Sequence, residues 1–139
     1  GMENYLPQVD AAVSTLLEDL DDRGLLEKTL VMVMGEFSRT PKMNDGGNGG
    51  PPRSMGTPGR DHWGNLGPML LSGGPVKAGG IIGTSARDGG TPSSDPITIS
   101  RLLGTVFGHL WDIPKLRLRA DLGRDLARVT GYEPIPGLG

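Results

Sequence analysis

Thr29-Leu30-Val31-Met32-Val33-Met34-Gly35-Glu36 is the stretch on which the reading of this chain turns. Its apolar residues run without polar alternation and the run is too short for a helix, which suits a strand of a parallel sheet buried on both faces. Upstream, Val9, Ala12, Val13, Leu16, Leu17 and Leu20 recur at spacings of three, one, three, one and three. That is one apolar stripe on a helix. The helix is expected to open at Asn4 or Tyr5, to carry Pro7 in its first turn, and to stop at Gly24. Helix, short connection and buried strand form the αβ half of an α/β sheet. Such sheets bind ligands at the carboxyl ends of their strands, where Glu36 stands.

Downstream, residues 37–64 read as one long loop, because Asp45-Gly46-Gly47-Asn48-Gly49-Gly50-Pro51-Pro52 can be neither strand nor helix interior. A loop of that length in a compact domain points to mobility or function. Leu66 to Ser72 reads as a second strand with Pro68 at its start or at a bulge, and Gly79-Gly80-Ile81-Ile82-Gly83 as a short third. Residues 84–96 return to loop chemistry. Thr98 then caps a second helix whose apolar face is Leu102, Leu103, Val106, Phe107 and Leu110. Gly104 and Gly108 lie four apart on another face, which implies close approach of a second backbone there. Trp111, Ile113 and Pro114 close the helix, and Gly123 and Gly131 mark turns in the tail.

With 139 residues the chain has the size of one domain, read here as 2–139 with Gly1 set aside as the scar of tag removal. At this length roughly 68–70% of the unfolded surface is buried on folding, so no disulfide or structural metal is needed. The absence of Cys excludes a disulfide scaffold, a thiolate zinc site and a thiol nucleophile. A formal net charge of −2 and six aromatics argue against a nucleic-acid partner. No apolar run reaches the roughly 18–20 residues of a membrane span, and the first residues lack a signal peptide's basic and apolar regions. Glycine and proline are concentrated in residues 35–96, with 16 Gly and 8 Pro, while the flanks are ordinary amphipathic sequence. A folded domain with one long loop region follows.

Candidate chemistry gathers on that loop. Glu36, Asp61 and His62 are of the residue types that hold a divalent ion at the mouth of a sheet. Glu36 and His62 are twenty-six positions apart, which is compatible with convergence without requiring it. The plainer alternative has Glu36 paired with Arg39 or Arg60 and His62 capping a loop. A Ser38–His62–Asp61 triad is disfavoured because adjacent Asp and His side chains rarely take the required geometry. Arg39, Lys42, Arg53 and Arg60 flank the loop, with Arg39 and Arg60 the candidates for holding a substrate anion. His109 reads as a helix-packing histidine. Trp63 reads either as a pocket wall or as an anchor of the loop on the core.

The blocks Met34-Gly35-Glu36-Phe37-Ser38-Arg39-Thr40-Pro41-Lys42-Met43-Asn44, Gly59-Arg60-Asp61-His62-Trp63 and Leu70-Leu71-Ser72-Gly73-Gly74, with Gly79-Gly80-Ile81-Ile82-Gly83, resemble the bacterial sulfatase-like family called domain of unknown function fifteen-oh-one. That family is placed with the alkaline phosphatase superfamily. The likeness runs from about Leu6 to Leu126, and the helix from Thr98 to Leu110 fits the family's closing helix.

This resemblance implies a partial alkaline-phosphatase-like α/β fold: a small, mostly parallel sheet flanked by helices and carrying a long Gly/Pro-rich loop. It implies metal-dependent hydrolase ancestry toward phosphate or sulfate esters, a divalent ion (Zn, Mn, Mg or Ca), and a periplasmic or extracellular setting. By position Glu36 stands for the metal-binding Asp of a sulfatase Asp-His-Gly, and His62 for a later metal- or substrate-binding His. Asp61 and Arg60 are weaker carry-overs. Phe37 takes the place of the sulfatase His, Ser38 that of a family glycine, and no Cys can become formylglycine. The superfamily's nucleophile and first metal ligands lie N-terminal to the region matched, so the expectation is the C-terminal part of a larger sulfatase-like domain, inactive alone. The alternative is a non-enzymatic binding or assembly module of the same fold. If strands of the parent sheet are missing, the uncovered sheet edge or apolar face predicts a homo-oligomer.

Overall fold

A computed structural model describes residues 2–44, 58–77 and 79–138. The described residues form α1 (Met2–Asp22), a 3-10 turn (Leu26–Lys28), β1 (Val31–Met34), β2 (Ser38–Arg39), β3 (His62–Trp63), β4 (Met69–Ser72), α2 (Ile99–Leu110), α3 (Ile113–Arg117) and α4 (Arg124–Thr130). The class is mixed α/β. The chain divides into two compact units, Gly1–Met32 with Leu71–Ile81 and Ile97–Gly139, and Val33–Leu70 with Ile82–Pro96.

The first unit opens with α1, which starts at Met2 rather than at Asn4 or Tyr5. Pro7 therefore sits in the second turn, where it cannot donate the bond that this position would give to the carbonyl of Glu3. The predicted stop at Gly24 is found, and its mechanism is explicit. Gly24 takes φ of +64°, its N–H donates to the Asp21 carbonyl at 2.8 Å, and the Leu25 N–H donates to the Leu20 carbonyl at 2.8 Å. Those two bonds are a Schellman closure, which glycine enters without steric cost. The apolar stripe splits in two: Val13, Leu17 and Leu20 are half-buried, while Val9, Ala12 and Leu16 remain exposed.

Further along, Thr98 caps α2 as read, its hydroxyl accepting from the Arg101 N–H at 3.3 Å. Helix α2 packs on α4, and α3 packs on α4. The tail returns across α2 at Gly104, where an added Cβ would lie 2.5 Å from the Glu133 carbonyl oxygen. One residue on, the Thr105 hydroxyl donates to the Arg101 carbonyl at 3.1 Å and accepts from the Ile135 N–H at 2.9 Å. Leu102, Thr105, Thr130 and Ile135 of this unit are buried. Phe107 stacks on Trp111 at 4.7 Å between ring centroids. The close approach expected at Gly104 is present, whereas a Cβ at Gly108 would meet nothing within 4 Å. His109 packs as read: its Nε2 lies 3.3 Å from the Lys28 carbonyl oxygen, and its ring covers Gly74 so closely that a Cβ there would sit 2.8 Å from it.

The strands correct the sequence reading most. One mostly parallel sheet was expected, but the described residues form two separate two-stranded sheets, β1 with β4 and β2 with β3, the latter antiparallel. The run 29–35 yields a strand of only four residues, and it alternates: Val31 and Val33 are half-buried, Met32 and Met34 exposed. An apolar run without polar interruption carries no signal of which side is left uncovered. β4 begins just after Pro68, as a residue lacking an N–H dictates. Gly79 to Gly83 makes no strand. Gly79 and Gly83 take positive φ, which breaks extended geometry, and Ile81 is 95% exposed. The span 37–64, read as loop, contains β2 and β3 and an isolated bridge between Asn44 and Gly59, while Asp45 to Pro52 and Arg53 lie outside the described residues.

No helix is long and apolar enough to cross a membrane among the described residues. The two α2 glycines give a paired test in one helix. Gly104→Ala should destabilise, because the overpacking cost of about 1–3 kcal/mol outweighs the gain in helix propensity of about 1 kcal/mol. Gly108→Ala should stabilise by about 1 kcal/mol. Urea unfolding of the two variants should therefore move in opposite directions from the parent.

Candidate functional site

The second unit brings the two sequence blocks together through β2 and β3. Their register pairs Ser38 with Trp63 and Arg39 with His62. Opposed residues of an antiparallel pair share a face, and neighbours along a strand take opposite faces. Arg39 and His62 therefore stand side by side on the exposed face, while half-buried Ser38 and Trp63 share the other.

Trp63 is the anchor of that arrangement. Its indole N–H donates to the carbonyl of Gly90 at 2.7 Å, and the Gly90 N–H in turn donates to Asp88 Oδ1 at 2.9 Å. Gly90 is buried, so the indole supplies a donor to a carbonyl withdrawn from water. The loop carrying Gly90 is closed by a bridge between Ser85 and Pro92 and by the Thr84 hydroxyl against that of Ser93 at 2.9 Å. Trp63 thus ties β3 to the loop around Gly90.

On the exposed face the His62 ring lies on Phe37, with centroids 3.8 Å apart and planes inclined by 31°. The Arg39 guanidinium sits over the same ring, 5.6 Å from its centroid, within cation–π range. Phe37 thus links the two residues that the register already opposes. Behind them Thr40 ties the strand ends: its N–H donates to the Asp61 carbonyl at 3.0 Å, its hydroxyl accepts from the Asp61 N–H at 3.1 Å, and its carbonyl accepts from Arg60 at 3.2 Å. Asn44 donates to Asp61 Oδ1 at 2.9 Å and accepts from the Gly59 N–H at 3.2 Å.

Of the residues singled out from sequence, Arg39 and His62 are brought together, and Arg60 and Asp61 are fixed next to them through Thr40. Glu36 lies exposed in the bend between β1 and β2. Among the described residues no group of three or more His, Asp or Glu side chains could hold a metal ion. The His62 ring packs on Phe37, and Asp61 Oδ1 accepts from Asn44, so two of the three side chains expected to hold a metal already have protein partners. The Ser38–His62–Asp61 triad also fails, because Ser38 shares its face with Trp63 and not with His62. Phe37, Thr40 and Asn44 were not anticipated as working parts. The only sequence sign of them is position, since all three lie within the first block, Met34 to Asn44.

These observations define an α/β chain with an exposed hairpin face bearing Arg39 and His62 around Phe37. It belongs to the family described as Protein of unknown function (DUF1501), whose profile matches residues 1–134. Neither a curated protein nor a solved structure matches the chain.

Two measurements check this geometry. Trp63→Phe should lose about 1–3 kcal/mol, the cost of leaving the buried Gly90 carbonyl without its donor, read by thermal unfolding. Titration with Zn²⁺, Mn²⁺, Mg²⁺ or Ca²⁺ tests the divalent-ion expectation: an ion at 100 times its Kd would stabilise by about 2.7 kcal/mol, and an unmoved melting temperature would exclude such a site. A rise abolished by Glu36→Ala would show that the carboxylates and His62 converge after all.

Proposed function

We propose that this chain is a module of phosphate- or sulfate-ester hydrolase type, related to the alkaline phosphatase superfamily, whose β2–β3 hairpin recognises the anionic oxygens of the ester. The observation that carries this reading is the opposition of Arg39 and His62 across the hairpin, bracketing Phe37. A guanidinium presents paired N–H donors to a tetrahedral oxyanion, and an imidazole beside it adds a further donor. Arg60, fixed by Thr40, contributes positive charge at the edge of the same hairpin.

Recognition without turnover is the chemistry these residues support. Ester cleavage needs a nucleophile or an activated water aimed at phosphorus or sulfur. Ser38 is on the wrong face of the hairpin for His62 to act as its base. A solvent-exposed anion site is weak, because both partners give up hydration and salt screens the attraction. The expected Kd is in the millimolar range, about −4 kcal/mol.

Nuclear magnetic resonance titration of the whole chain with phosphate, sulfate and phenyl phosphate tests the proposal. Backbone amides of residues 37–40 and 60–63 should shift with saturation, and Arg39→Ala or His62→Ala should weaken binding about tenfold, a loss of roughly 1.4 kcal/mol. Lys77→Ala, in the other unit, should leave the titration unchanged. Equal binding by the parent and the Arg39 variant would remove the hairpin from consideration.

A further inference from the structure

The first unit carries two surfaces of opposite charge, each with apolar side chains left uncovered. On α1, Tyr5, Val9, Ala12 and Leu16 recur at spacings of four, three and four, which sets them in one line along the helix, and all four are exposed. Tyr5 is 64% exposed and Val9 52%. The neighbouring line, Val13, Leu17 and Leu20, is the half-buried one. α1 therefore uses one half of its apolar stripe inside its own unit and presents the other half outward.

The charge on α1 selects among occupants. Between Met2 and Asp22 stand Glu3, Asp10, Glu18, Asp19, Asp21 and Asp22, with no basic residue. Pairing α1 with the α1 of another copy would set carboxylates against carboxylates, which is unfavourable. Residues 113–130 have the opposite balance: Lys115, Arg117, Arg119, Arg124 and Arg128 against Asp121 and Asp125. Arg119 grips Asp121 through two N–H···O bonds, so one of those two carboxylates is already matched within its own segment. The same segment exposes Leu118, at 87%, and Leu126.

We infer that two copies of this chain associate through α1 of one and residues 113–130 of the other, with Tyr5, Val9 and Leu16 seated against Leu118 and Leu126. Because each copy carries both surfaces, a two-fold dimer forms the contact twice. Apolar burial supplies the affinity, and the acidic-to-basic match sets orientation and partner choice. This association is independent of the hairpin face and of its ligand.

Sedimentation velocity over a concentration series tests it, using the whole chain. The parent should dimerise, and raising NaCl from low to high should weaken the dimer by about tenfold as the charges are screened. Val9→Glu/Leu16→Glu and Leu118→Glu/Leu126→Glu should each be monomeric, with circular dichroism unchanged because all four positions are exposed. Mixed one to one, the two variants should form a heterodimer, since an intact α1 from one then meets an intact basic segment from the other. A monomeric parent overturns the inference. So does a Leu118→Glu/Leu126→Glu variant that still dimerises, which would mean that α1 pairs with itself, or a mixture of the two variants that stays monomeric.

Discussion

The passage of the tail backbone over Gly104 holds the first unit together. At 2.5 Å from the Glu133 carbonyl oxygen to an added Cβ, only a residue without a side chain leaves room for the crossing. The crossing brings the Ile135 N–H to the Thr105 hydroxyl, so a polar group entering the interior is satisfied as it is buried. Leu102 and Ile135 are the buried apolar residues among those described, and Thr130, also buried, donates its hydroxyl to the Ala127 carbonyl at 2.8 Å. Arg117 secures the far side by donating to the Thr130 carbonyl at 2.9 Å. A core this small depends on backbone proximity and satisfied hydrogen bonds as much as on apolar area.

The second unit is organised on a different basis. Its hairpin strands β2 and β3 are two residues long, too short to stand by pairing alone, and side chains at both ends do the holding. Trp63 grips Gly90 from the inner face, Phe37 receives His62 and Arg39 on the outer, and Thr40 and Asn44 lock the chain on either side of Asp61.

Features that depend on neighbours in sequence were legible before any coordinates. Gly24 ends α1, Thr98 starts α2, Pro68 precedes β4 and Gly104 admits a backbone, each for a reason local to the residue. Features set by distant pairing were not. The apolar run from Thr29 to Gly35 suits a strand covered on both faces, yet which face is covered depends on what the rest of the chain provides, and Met32 and Met34 remain exposed. The hairpin inside 37–64 was hidden because two-residue strands carry no periodicity. For the site, the residue types and the two flanking blocks were readable, and the opposition of Arg39 and His62 follows from a register that nothing in either block specifies alone.

Each unit contains one of the chain's two tryptophans, and their surroundings differ. Trp111 stacks face to face on Phe107 in the first unit, while the Trp63 indole is tethered to a peptide carbonyl in the second. Ring stacking and a strong acceptor at the indole nitrogen alter emission differently. A single-tryptophan form of the protein thus turns intrinsic fluorescence into a local optical probe, able to tell whether the two halves melt as one cooperative body or in succession.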